Sequence, residues 1–156
     1  MKYALSLALL LLFTNPIQAQ TLSAQAKSDI AISQALINDK RNTALAFNMS
    51  FTDEERDAFW PLYRQYREAM SNVGKRQLDV IIDYAEHFEN MSQDKAQELL
   101  DRSMIYEEQA LKFKQLYIEK FRRILPNTKV TRLFQLENRM DAAVMLKLSE
   151  GIPLME

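Results

Sequence analysis

Apolar residues recur along this chain at the three- and four-residue intervals that are typical of amphipathic α-helices. The clearest apolar stripe comprises Phe59, Tyr63, Tyr66, Met70, Val73, Val80 and Tyr84. The only run of β-branched residues, 80–82, lies inside this helical spacing. Two glycines and four prolines leave few positions for the tight turns that join short strands. The pattern therefore predicts an all-α fold.

Four helices follow from the apolar spacing and from residues that begin or end helices. They are expected at about residues 23–47, 53–88, 93–124 and 127–148. Thr52 and Glu55 predict a capping box at the start of the second helix, and Pro61 predicts a kink in that helix without a break. Ser92 is expected to cap the third helix, and Pro126 to end it. The short turn between the second and third helices predicts a long antiparallel hairpin.

The N-terminus has the pattern of a secretory signal peptide. Lys2 gives a positive start, residues 4–13 form an apolar run, and Ala19 stands just before a plausible cleavage point. An apolar run of about ten residues is too short to span a bilayer core, which needs about twenty. We therefore expect residues 1–19 to be removed and residues 20–156 to form a single all-helical domain in the periplasm, without stable membrane insertion.

Composition excludes several classes of function. The chain has no cysteine, so disulfides, thiol nucleophiles and thiolate metal sites are excluded. A formal net charge of -1 argues against nucleic acid as a partner. The single histidine, His87, is more typical of a helix-end residue than of a metal ligand, and glycine-rich phosphate loops are absent. We expect no enzymatic activity, no metal and no cofactor.

The aromatic residues of the predicted hairpin have two interpretations. They form the core between helices, or part of the stripe lines an open groove for unfolded protein segments, with methionines and a cationic rim beside it. Such a groove would be lined by Trp60, Tyr63, Tyr66, Arg67, Met70, Arg102 and Met104. Both interpretations stay open at the level of sequence, because the difference between them is exposure to solvent.

Two short segments resemble the repeated LTxxQ-type motif of the Spy/CpxP-like periplasmic proteins. The first is Phe51-Thr52-Asp53-Glu54-Glu55, with Phe for Leu and Glu for Gln. The second position is taken by Leu125-Pro126-Asn127-Thr128-Lys129, which is followed by a polar stretch that contains Gln135, Glu137 and Asn138. The last residues of the two segments, Glu55 and Lys129, depart from the motif.

The resemblance implies a four-helix, cradle-shaped and often dimeric fold, with ATP-independent chaperoning or envelope-stress sensing as its role. The first expectation is therefore a chaperone-like homodimer that binds unfolded or flexible clients. A second is a regulatory partner of a membrane sensor or anti-sigma factor in the periplasm. A third is a structural protein whose apolar residues are consumed in a homodimer interface.

Overall fold

The computed structural model describes residues 39–149, and the side chains of residues 39–146. Four helices form this part of the chain: α1 over residues 39–48, α2 over Asp53–His87, α3 over Gln93–Phe121 and α4 over Asn127–Ser149. A 3₁₀ turn at Phe88–Asn90 joins α2 to α3. The described residues contain no strand, so the all-α prediction is confirmed. The predicted signal peptide at residues 1–19 lies outside the described residues.

The chain divides into two compact units, residues 1–42 and residues 43–156. Within the first unit the structure describes residues 39–42, which are helical. All contacts discussed below are within the second unit. None of the described helices is both long enough and apolar enough to cross a bilayer.

A capping box begins α2, as the sequence predicts. The Thr52 hydroxyl accepts a hydrogen bond from the Glu55 backbone N–H at 3.2 Å, and the Glu55 carboxylate accepts one from the Thr52 N–H at 2.9 Å. Each side chain thereby satisfies a backbone donor that the helix itself leaves unpaired. Pro61 lies within α2, and the helix continues through it to His87.

The starts of α3 and α4 use the residues expected from sequence, whereas α3 ends at Phe121, earlier than the predicted end at about residue 124. The Ser92 hydroxyl caps α3 by accepting a hydrogen bond from the Lys95 N–H at 3.1 Å. After α3 ends, the Pro126 carbonyl accepts hydrogen bonds from the N–H groups of Lys129 at 2.9 Å and Val130 at 3.0 Å. Proline has no N–H of its own, and at the start of a helix this absence breaks no hydrogen bond.

The core lies at the end of the α2–α3 hairpin that is remote from its turn. Its buried members are Leu45, Met49, Phe59, Tyr63, Tyr66, Tyr117, Phe121, Leu125, Val130 and Leu133. Rings of α2 and α3 meet directly, with centroids 5.6 Å apart for Phe59 and Phe121 and 5.4 Å apart for Tyr66 and Tyr117. Phe134 of α4 lies 5.7 Å from Tyr66. We name this region the core end.

The other end of the hairpin buries much less. We define the hairpin tip as residues 78–111, which comprise the last part of α2, the turn and the first part of α3. Val80 and Leu99 are its only buried residues. Stability is therefore concentrated at the core end, because burial of apolar surface supplies most of the favourable free energy of folding.

Phe121 offers a direct test of this distribution of stability. It is fully buried and contacts rings of both α2 and α4. Phe121→Ala is expected to lower the free energy of unfolding by about 3–5 kcal/mol. Leu116→Ala, at an exposed position on the same helix, should change it by no more than about 0.5 kcal/mol. Urea unfolding followed by circular dichroism measures both, and equal effects would contradict a core at this end.

Candidate functional site

The two motif-like segments, 74 positions apart along the chain, lie side by side in the structure. The Lys129 ammonium donates hydrogen bonds to the Glu55 carboxylate and, at 2.8 Å, to the carbonyl of Ser50. Glu55 also accepts from the Thr52 N–H, so its carboxylate is part of the α2 cap and of the link to α4. The hydrogen bond from Lys129 is the main cause that lowers the pKa of Glu55, followed by the one from the Thr52 backbone.

The segment between α1 and α2 is held by the first turns of α4. Ser50 has a φ of 45°, in the left-handed region that non-glycine residues seldom occupy. Glu55 and Lys129, the last residues of the two motif-like segments, form an ion pair that joins the start of α2 to the first turn of α4. Arg132 adds a second link by donating to the carbonyl of Asn48 at 3.2 Å.

A buried carboxylate joins α4 to the middle of α2. Glu137 is fully buried, and its two oxygens accept from different residues: Oε1 from the Tyr63 hydroxyl at 2.6 Å and Oε2 from the Arg67 guanidinium at 3.0 Å. Tyr63 and Arg67 are four residues apart, so they lie on one face of α2. A buried charge is tolerated only when it is paired and hydrogen-bonded. We name Tyr63, Arg67 and Glu137 the clamp.

The other motif residues lie around this region. Phe51 packs on Phe59 with ring centroids 4.5 Å apart, and Leu125 is buried in the core. Gln135 is exposed on α4, and the exposed Asn138 accepts a hydrogen bond from Lys114 at 3.4 Å. The predicted motif residues are thus gathered at the core end, where all except the exposed Gln135 contribute to packing, to helix starts or to polar links between helices.

The seven residues predicted to line a groove are separated by the structure into two places. Tyr63 and Tyr66 are buried in the core, and Trp60 and Met70 are half-buried against it. Arg102 pairs instead with Asp83, which lies twenty residues beyond Tyr63 on α2, about 30 Å along the helix axis. The structure does not bring the seven together in a single surface.

Asp83 is the centre of an ion-pair network in the hairpin tip. It accepts hydrogen bonds from Arg102 and from Lys95, the latter at 3.3 Å, and both cations also pair with Glu98. The hydrogen bond from Arg102 is the main cause that lowers the pKa of Asp83. His87 contacts the same carboxylate at 3.1 Å. The pairs of Asp83 with Arg102 and Lys95 link the two helices of the hairpin next to its turn, where apolar burial is small.

A row of exposed apolar side chains follows the outer face of α3. Leu100 is 60% exposed, Met104 51% and Leu111 56%. Met104, Leu111 and the half-buried Ile118 are spaced seven residues apart, so the row continues along one helix face towards the core end. The groove predicted from sequence includes only Met104 of this row. The seven-residue spacing was a readable signal, but the stronger aromatic stripe of α3 on another face obscured it.

Comparison with known proteins identified no relative: no family model matches the chain, and neither the curated proteins nor the solved structures gave a significant match. The resemblance to the Spy/CpxP-like proteins therefore still rests on the two motif-like segments alone. Among the described residues no group of three His, Asp or Glu side chains is arranged to hold a metal ion.

Variants of the clamp test whether Glu137 fixes α4 against α2. Glu137→Ala should lower the free energy of unfolding by about 3–5 kcal/mol, because it leaves the partly buried Arg67 without its carboxylate. Tyr63→Phe should cost about 1–3 kcal/mol, since it removes one buried hydrogen bond to a charged group. In a double-mutant cycle the two effects should not add. Additive losses in denaturant titrations would mean that the clamp residues act independently.

Acid should destabilise the protein through Asp83 and Glu55. Both carboxyls have lowered pKa values in the folded state, so their contribution is present above the unfolded-state values, about 4, and is lost as pH falls through the folded-state values. Denaturant titrations from pH 6 downward should show this decline. Asp83→Asn and Arg102→Met should each reduce the decline of stability with falling pH, and the part due to Glu55 should remain. An unchanged slope in both variants would contradict the assignment.

Proposed function

We propose that this protein is an exported, ATP-independent chaperone-like protein that binds unfolded or flexible clients along the outer face of α3. The observation that carries the proposal is the exposed row of Leu100, Met104 and Leu111. The signal-peptide pattern of residues 1–19 and the resemblance of the two motif-like segments support the same role and a periplasmic location. The binding surface differs from the aromatic groove expected from sequence, because Tyr63 and Tyr66 are committed to the core.

The apolar row suits weak and unselective binding. Complete burial of a large aliphatic side chain from full exposure contributes about 1.5–3 kcal/mol. The three side chains are already about half covered, so their further burial contributes on the order of 3 kcal/mol in total. A free energy of about 4 kcal/mol corresponds to a dissociation constant of about 1 mM. The row alone therefore supports brief contacts with many sequences, as holding an unfolded chain requires.

The side chains of the row also favour variable partners. Met104 has a flexible, polarizable side chain that adapts to differently shaped apolar groups. The row lies on one continuous helix, so its side chains are presented together without any change of the backbone. These properties support recognition of apolar segments as a class and provide no pocket that would select one small molecule.

Aggregation assays on an unfolding client test the proposal. The purified protein should suppress light scattering when it is in large molar excess over the client, because binding of about millimolar strength leaves most of the client unbound at near-stoichiometric ratios. The triple variant Leu100→Gln, Met104→Gln, Leu111→Gln should lose most of that effect. The three positions are exposed, so the variant should keep its helical circular dichroism and its unfolding midpoint.

Phe47→Ser provides the matched control, because Phe47 is 87% exposed but lies outside the row. It should suppress aggregation as well as the unchanged protein does. Equal activity of the triple variant, or no activity of the unchanged protein towards any client, would overturn the proposed function. A dimer that buries the row would give the same negative result and would be identified by its solution mass.

A further inference from the structure

Charge is distributed unevenly along the molecule. The hairpin tip, residues 78–111, carries nine acidic residues and two basic ones, Lys95 and Arg102. The segment that follows, residues 112–149, carries nine basic residues and three acidic ones. The small net charge of the whole chain therefore conceals a strongly acidic tip and a basic region at the core end.

The cations of the core end are largely engaged in holding the fold. Lys129 binds Glu55 and Ser50, and Arg132 binds the Asn48 carbonyl. Lys114 and Arg122 pair with Asp141 and Glu119. A basic side chain that already has an acidic partner or a carbonyl to bind contributes less to a partner molecule, because its field is partly neutralised.

The acidic residues of the tip are mostly available. Three of the nine take part in ion pairs: Asp83, Glu98 and Glu108. The other six are exposed and form no salt bridge with any described residue: Asp79, Glu86, Glu89, Asp94, Asp101 and Glu107. Asp94, Asp101 and Glu107 belong to α3, the helix that carries the apolar row, and flank it on the helix surface. Apolar contact and negative charge are thus presented together.

We propose that the hairpin tip selects cationic amphipathic segments, which are flexible polypeptides with lysine or arginine beside large apolar residues. The inference rests on the proposed function and specifies its clients. Apolar side chains of such a segment cover Leu100, Met104 and Leu111, while its cations face Asp94, Asp101 and Glu107. The acidic field raises the rate of encounter, and the apolar row supplies the short-range contact.

The acidic surface proposed here differs from the groove with a cationic rim that was expected from sequence. Neighbours along one helix can be read from the sequence, but partners on another helix cannot. In the structure Arg67 is bound to Glu137, and Arg102 to Asp83. Two cations predicted to rim a groove are therefore neutralised locally, and the unneutralised charges next to the exposed row are negative.

Fluorescence anisotropy with two labelled peptides tests the inference. The two peptides have the same length and the same leucines and phenylalanines. At each charged position one peptide has lysine and the other has glutamate. The lysine peptide should bind at least tenfold more tightly at low salt. The preference should shrink as salt is raised above about 0.15 M, where the screening length is about 8 Å.

Two variants that each remove three negative charges locate the effect. The tip variant combines Asp94→Asn, Asp101→Asn and Glu107→Gln. It removes three negative charges from the tip and should reduce the preference for the lysine peptide at least threefold. The control variant combines Asp57→Asn, Glu68→Gln and Glu119→Gln. It removes three exposed negative charges outside the tip and should leave the preference nearly unchanged. A change of equal size in both variants would overturn the assignment to the tip.

The outcomes separate this inference from the proposed function. If both peptides bind equally and the triple glutamine variant of the row binds neither, the proposed function is supported and selection by charge is overturned. If neither peptide binds, both ideas fail. If the unchanged protein self-associates at low salt and the tip charge variant abolishes that association without any effect on peptide binding, the acidic tip pairs with the basic end of a second copy, and selection of clients is overturned.

Discussion

The buried carboxylate of Glu137 is the constraint on which the rest of the structure depends. A charge without contact to water needs opposite charge and hydrogen-bond donors at fixed positions. Tyr63 and Arg67 satisfy one oxygen each, with distances of 2.6 Å and 3.0 Å. Any sliding of α4 along α2 would separate at least one of these pairs at a cost of several kcal/mol. The clamp thereby selects one position of α4 along α2, whereas apolar contacts alone would permit several.

The register has a consequence for the whole hairpin. With Glu137 beside Tyr63, Lys129 reaches Glu55 and Val130 and Leu133 enter the core. The capping box, the α1–α2 connection and the aromatic core are thus completed by one helix. Most of the polar links and most of the buried rings lie at this end, and the tip retains exposed apolar and acidic side chains. The core end is buried and the tip is largely exposed because α4 packs against the core end.

Local chemistry was predictable from sequence and distant pairing was not. The capping box at Thr52, the Ser92 cap and the start of α4 after Pro126 depend on neighbours within four residues, and each has a sequence signal. Glu137 and Tyr63 are 74 positions apart, and no local pattern indicates that they bind. The same limitation applies to Arg67 and Arg102, because whether a cation is available depends on partners that only the fold supplies.

The exposed row illustrates a further reason why sequence alone misleads. A helix with apolar residues on two faces can bury only one of these faces against a single partner helix. The face with the larger rings is buried, because its burial removes more apolar surface from water. On α3 the face with Tyr117 and Phe121 is buried, and the face with Leu100, Met104 and Leu111 stays exposed. Exposed apolar groups promote aggregation unless charge keeps copies of the chain apart. The acidic residues around the row provide that repulsion between like tips, and the same charges would attract the cationic segments proposed as clients.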